Sequence, residues 1–151
     1  MVNSLEVMCI PTASRWLILP KDLVRNIYPY APSLKNEQSS EFVIGSLLIN
    51  NEIIPLVDLD FDHKRDELDS NEGFRIVMID SVSSQARYRH YALLAYQEPK
   101  ALTLQADKIK TMNLGDHRYI AQQVAIENEQ WLDKSCYIPN LLNFESELTM
   151  S

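Results

Sequence analysis

The chain has 151 residues, 46% hydrophobic and 23% charged, and its 14 basic and 21 acidic side chains give a formal net charge of −7. A chain of this length buries enough surface to build a core without metal or disulfide staples, and the composition excludes an intrinsically disordered protein. With no basic run or stripe to neutralise phosphates, nucleic acid and anionic membrane surfaces are poor partners.

The N-terminus has no basic region ahead of its first apolar stretch and carries Glu6 inside it, so it does not read as a signal peptide. No apolar run approaches the ~18 residues of a membrane span. The expectation is a cytoplasmic protein without direct membrane insertion. Val7–Ile10 and Arg15–Leu19 read as strands joined through Pro11-Thr-Ala-Ser14, a hairpin pattern. Lys21–Ile27 is short and ambiguous, and Pro29 and Pro32 make the next segment extended or turned.

Phe42–Ile49 and Ile53–Leu59 are rich in β-branched residues and are separated by Asn50-Asn51-Glu52. Asparagine tolerates positive φ, so this reads as a tight hairpin. Pro55 inside the second run points to a sheet edge or a bulge. Residues 58–72 form an acidic stretch with seven acids, two bases and no apolar period. Phe74–Ile79, Arg89–Tyr96, Ala101–Leu104, Tyr119–Ile126 and Trp131–Ile138 are further strands, while Asp107-Lys-Ile-Lys110 reads as solvated turn charge. The tail from Leu141 to Leu148 has room for one or two helical turns with acids on the face. Many short, turn-bounded strands indicate an all-β barrel or sandwich.

The chain also echoes itself at half-length. Leu47-Leu-Ile-Asn-Asn-Glu52 aligns with Val124-Ala-Ile-Glu-Asn-Glu129, and Trp16-Leu-Ile-Leu19 with Tyr91-Ala-Leu-Leu94. A genuine repeat of this kind means two similar small barrels packed on one another.

Chemistry-bearing motifs are absent: no G-x-S-x-G, H-E-x-x-H, Walker loop or G-x-G-x-x-G occurs. Cys9 and Cys136 stand alone among apolar residues, where a free thiol acts as a small hydrophobe. His63, His90 and His117 sit singly and read as surface histidines. Asp58-Leu-Asp-Phe-Asp62 resembles the start of a calcium loop, but the sixth position is His63 rather than glycine and the twelfth is Asp69 rather than glutamate. No catalytic residue, cofactor or metal is therefore expected. A small-molecule-binding or hydrolytic barrel using Asp58–Asp62 or a histidine is the weaker alternative.

The hairpin carries the one specific resemblance. Gly45, Ile53, Pro55, Leu56, Val57, Asp58 and Leu59 fall on the pattern G-(V/I)-x-N-L-R-G-x-(I/V)-x-P-(I/V)-(V/I)-D-L of CheW-like domains. Trp16–Pro20, Leu23–Ile27, Phe74–Ile79, Tyr91–Ile109 and Ile138–Leu142 resemble other elements of that family. The resemblance implies an all-β fold of two five-stranded, SH3-like barrels around a shared hydrophobic core, with a short C-terminal helix. It implies a single domain over 1–151, made of two interleaved barrels of roughly half the chain each. It further implies a non-catalytic chemosensory adaptor that binds the regulatory domain of a CheA-type histidine kinase and the cytoplasmic tip of a chemoreceptor.

The departures from the pattern matter as much. Where the family has N-L-R-G, this chain has Leu48-Ile-Asn50-Asn51, and where it has V-x-E the acid is Asn26. Both members of the family's Glu–Arg pair are thus neutral, and an amide–amide hydrogen bond is the expected substitute. At the family's V-D-x-V, Tyr96 and Glu98 stand in Ala95–Pro99. The candidate partner-binding residues are Val24, Asn26, Ile27, Gly45, Asn50, Asn51, Pro55, Tyr96 and Glu98. Val24, Ile27, Ile53, Leu56 and Val57 would be core or half-core in any β domain. The divergence points to an accessory protein, of the kind found in pilus-type systems, or to a capping module that engages kinase or adaptor barrels without recruiting receptors.

Overall fold

The computed structural model describes residues 4–12, 15–30, 43–58, 73–84, 88–105, 107, 109–112, 120–126 and 136–150. Among these residues eleven strands and one helix occur in chain order: β1 (Ser4–Pro11), β2 (Trp16–Pro20), a 3-10 turn (Lys21–Leu23), β3 (Val24–Pro29), β4 (Val43–Ile49), β5 (Glu52–Val57), β6 (Arg75–Asp80), β7 (His90–Ala95), β8 (Lys100–Gln105), β9 (Ile109–Met112), β10 (Ile120–Ile126), β11 (Cys136–Pro139) and α1 (Leu141–Met150). They form two curled sheets, the two-barrel all-β arrangement expected, with the helix at the C-terminal end.

One sheet has the order β8-β1-β2-β11-β10-β9 and the other β3-β6-β7-β5-β4. The first has six strands where five were expected; leaving out the added edge strand β9, the two orders are the same. In each, a hairpin partner (β1 or β6) lies antiparallel beside a central strand (β2 or β7). That central strand runs parallel to the next (β11 or β5), and an antiparallel neighbour lies beyond it (β10 or β4). The chain crosses over after each central strand: β3 leaves β2 for the second sheet, and β8 leaves β7 for the first. The two half-length sequence matches fall on β2 with β7, and on the ends of β4 with β10, which are equivalent places in the two sheets.

Period-two alternation explains the uninterrupted apolar runs. On β1, Val7 and Cys9 face a small cluster with Ile18, Leu104, Val124, Ile126 and Cys136, while Met8 and Ile10 turn to the other side. There they join Leu17, Leu19, Ile54, Leu56, Val77, Ile79, Leu93 and Phe144 in a core shared by both sheets and the helix. Strands buried on both faces need apolar residues at every position, which is what Val7–Ile10, Leu17–Leu19, Ile76–Ile79 and Tyr91–Ala95 supply.

Several expectations are corrected. Ile109–Met112 is a strand, paired with β10 through Ile109↔Ile126 and Lys110↔Ala125, not a charged turn. Lys110 mimics turn charge because an edge strand can carry it on its solvent face. Pro55 lies in an interior strand between β4 and β7, not at an edge. It is tolerated because the parallel ladder to β7 begins one residue later, at Leu56↔Ala92; Pro55 faces Ser46, and the bulge between Val43 and Gly45 lies next to that pair, opposite Leu56 and Val57. The tail forms a ten-residue helix, and its Glu145 is 1% exposed rather than on the solvent face.

Glu145 is the buried anchor of that helix. Its Oε2 accepts from the Val82 N–H at 2.9 Å and from the Tyr91 hydroxyl at 3.1 Å, and its Oε1 accepts from the Ser83 N–H at 2.8 Å. The Tyr91 and Phe144 rings pack alongside, with centroids 5.3 Å apart. Burial, and then the neighbouring carboxylate, push the Tyr91 phenol well above its ordinary range.

Both cysteines are free thiols and fully buried. Burial, with a smaller contribution from Cys136, raises the Cys9 thiol from 9.0 to about 12. The folded state therefore prefers the neutral thiol: its contribution is complete below pH 9 and is lost as pH rises from 9 towards 12, because the unfolded chain ionises first. Thermal unfolding across pH 8 to 11 should show a steeper alkaline loss in the native protein than in Cys9→Ala. Equal slopes would remove Cys9 from the alkaline limb.

Candidate functional site

The residues selected from the sequence divide between the two ends of the five-stranded sheet. At one end β4 turns into β5. Asn50 and Asn51 have φ of 52° and 64°, both left-handed, so the loop is the two-residue turn whose backbone twist suits a hairpin. Asparagine is among the few side-chain-bearing residues that adopt this conformation readily. The register runs Leu47↔Ile54, Leu48↔Ile53 and Ile49↔Glu52. Leu47 and Ile54 point into the core, so Leu48 and Ile53 point out side by side, each 66% exposed. The hairpin tip is thus an apolar pair capped by two exposed amides.

Behind the tip, four side chains form a polar row across the sheet. Arg25 Nε donates to Asp80 Oδ1 at 2.9 Å, and His90 Nε2 lies 3.1 Å from the same oxygen. His90 Nδ1 lies 3.4 Å from Glu52 Oε2, at the first residue of β5. The hydrogen bond to Asp80, together with its charge, raises the Arg25 guanidinium further above its ordinary range. His90 is therefore not the solitary surface residue read from the sequence. Its carboxylate neighbours come from β6 and β5, which are distant in sequence and invisible to local spacing.

Val24 and Ile27 on β3 are half-buried and pack against the shared core, while Asn26 is exposed. The amide–amide bond expected between Asn26 and Asn50 is not formed. Asn26 donates from Nδ2 to the Tyr28 hydroxyl at 3.2 Å and accepts the Ile27 N–H at 3.0 Å. Its strand β3 and the Asn50 strand β4 stand at opposite ends of the five-stranded order. A bulge between Val24 and Asn26 further displaces the amide.

Tyr96 and Glu98 lie at the other end of the sheet, past β7, about 20 Å from the hairpin tip along a six-residue strand. Tyr96 is held on all sides: its N–H donates to the Pro11 carbonyl at 2.9 Å, its hydroxyl to Asp58 Oδ2 at 2.6 Å, and its ring packs 4.6 Å from that of Phe74. Asp58 is fully buried and accepts that hydrogen bond. Residues 59–62 of the calcium-like stretch, with His63 and His117, lie outside the described residues. Among the described residues no group of three or more metal-ligating side chains comes together. Glu98 is exposed and accepts from Arg75 Nε at 2.7 Å. Such an exposed pair is worth at most ~1 kcal/mol.

Gly45 and Pro55 are both buried, and Gly45 pairs with Leu56. Of the nine selected residues, four are exposed, and Asn26, Asn50 and Asn51 are the ones on the β3 and hairpin side of the sheet. The selection missed Leu48, and the pattern grouped Ile53 with core positions. Both could have been found from the sequence, because a two-residue turn fixes register, and register fixes which alternate residues leave the core.

No protein-family model matches the chain, and no curated protein matches it by sequence. Among solved structures, the scaffolding protein TtCheW from Thermoanaerobacter tengcongensis is similar, with a TM-score of 0.70. The match covers 92% of this chain and 86% of that one at 15% sequence identity, so it is a likeness of fold. No helix among the described residues is long and apolar enough to cross a membrane.

Proposed function

We propose that this protein is a non-catalytic chemosensory adaptor, one domain of two interleaved barrels that couples chemoreceptors to a CheA-type histidine kinase by binding the kinase's regulatory domain. The observation that carries this reading is the β4–β5 hairpin. It is a rigid turn bearing an exposed Leu48–Ile53 pair, on a fold similar to a CheW scaffolding protein. A pair of large aliphatic side chains held outward side by side by a fixed register offers an anchor to a partner pocket. The lack of catalytic motifs in the sequence fits an adaptor that works in the cytoplasm.

A second reading is favoured by the neutral Asn26 and Asn50, which do not pair with each other. An accessory or capping module, as in a pilus-type system, would bind kinase or adaptor barrels without recruiting receptors. Pulldown and calorimetry against the kinase regulatory domain test the common core of both readings. Binding in the micromolar range is expected, and no binding by folded protein at high micromolar concentration overturns both. Addition to a reconstituted receptor–kinase array then separates them: kinase activation supports coupling, and array disassembly supports capping.

A further inference from the structure

We infer that the recess between the β6–β7 connection and the start of β3 binds a small phosphate-class oxyanion. This site is independent of the adaptor role, since it uses a different set of side chains. The recess encloses about 430 Å³ and is lined chiefly by Arg25, Asp80, Ser83, Ser84, Arg89 and His90. That volume admits a phosphate group together with a small organic portion.

The lining is rich in donors that nothing else claims. Arg25 holds Asp80 through Nε, and its two terminal nitrogens make no hydrogen bond among the described residues. Arg89 is exposed, and its guanidinium has no ion-pair or hydrogen-bond partner among them. The hydroxyl of Ser84 is likewise uncommitted among them. The single acid of the lining, Asp80, is already engaged through Oδ1 by both Arg25 and His90, which blunts its repulsion of an incoming anion. In a protein of net charge −7, anions are repelled from most of the surface, whereas here Arg25 and Arg89 offset the charges of Asp80 and the neighbouring Glu52. Planar guanidinium forks match the oxygens of phosphate better than a point charge does.

The same connection already receives an anion on its inner side, where the Val82 and Ser83 N–H groups hold the Glu145 carboxylate. That contact ties down the backbone at Val82 and Ser83, one wall of the recess.

The test is a titration of the full chain with inorganic phosphate, monitored by amide chemical shifts at constant ionic strength maintained with chloride. A parallel arm uses glycerol phosphate, which separates free phosphate from a phosphorylated small molecule as the preferred ligand. Saturable shifts confined to residues around Ser84, Arg89 and Arg25 are expected in either arm. Arg89→Gln, at an exposed site, should weaken binding about tenfold. Arg25→Gln, as a second variant, should weaken it comparably. Absence of saturable shifts in both arms overturns the site, as does binding that both substitutions leave unchanged.

Discussion

Glu145→Ala is expected to destabilise the protein by about 3–5 kcal/mol, a large share of the roughly 5–15 kcal/mol that holds a domain of this size. The substitution strands three donors at once: the Val82 N–H, the Ser83 N–H and the Tyr91 hydroxyl. The buried Tyr91 hydroxyl left without an acceptor costs about 1–3 kcal/mol, and the part-exposed Val82 and Ser83 N–H groups add less because water reaches them. The helix, attached otherwise through Leu141 and Phe144, would lose its polar tie to the β6–β7 connection. Tyr91→Phe removes one of the three bonds and should cost only about 1 kcal/mol. Glu145→Gln should fall between them, because one carboxylate oxygen becomes an NH2 facing an N–H donor. Urea unfolding of the three variants gives the ranking. A Glu145→Ala protein as stable as the native one would mean that the carboxylate is solvated rather than anchored.

Leu48→Asp combined with Ile53→Asp is expected to weaken binding to the kinase regulatory domain about 100-fold while leaving the fold intact. The two side chains are 66% exposed and add nothing to the core, so circular dichroism should stay near native, with stability lowered by about 1 kcal/mol through the like charges placed opposite each other. Two carboxylates facing each other across the hairpin would instead repel any apolar partner pocket and cost desolvation on docking. Glu98→Ala, at the far end of the sheet and engaged only with Arg75, is the matched control and should leave the affinity unchanged. If the control weakens binding and the double variant does not, the contact surface lies at the Tyr96 end and the hairpin assignment fails. Asn50→Asp, which keeps a residue tolerant of positive φ, adds one charge at the tip and should weaken binding several-fold.

Local pattern was enough to specify the β4–β5 hairpin, because two asparagines between β-branched runs admit few other conformations. It was also enough for most strands, since fully apolar runs of four to six residues must be buried on both faces. The half-length matches pointed to paired architectures because equivalent strands in two similar sheets face equivalent demands. In all these cases the determining interactions lie within a few residues along the chain.

Tertiary structure alone decided the rest. Sequence could not reveal that β3 and β8 cross between the sheets, because crossovers are settled by which buried faces meet. It could not place Glu145, an acid in an amphipathic tail, at the centre of three hydrogen bonds from residues more than 50 positions away. Nor could it show that Tyr96 is locked onto Asp58, or that His90 sits between Asp80 and Glu52. A charged or aromatic side chain has the same local signature whether it meets solvent or a partner strand. Its role is set by what the fold brings opposite to it, and that is a property of packing, not of neighbours in the chain.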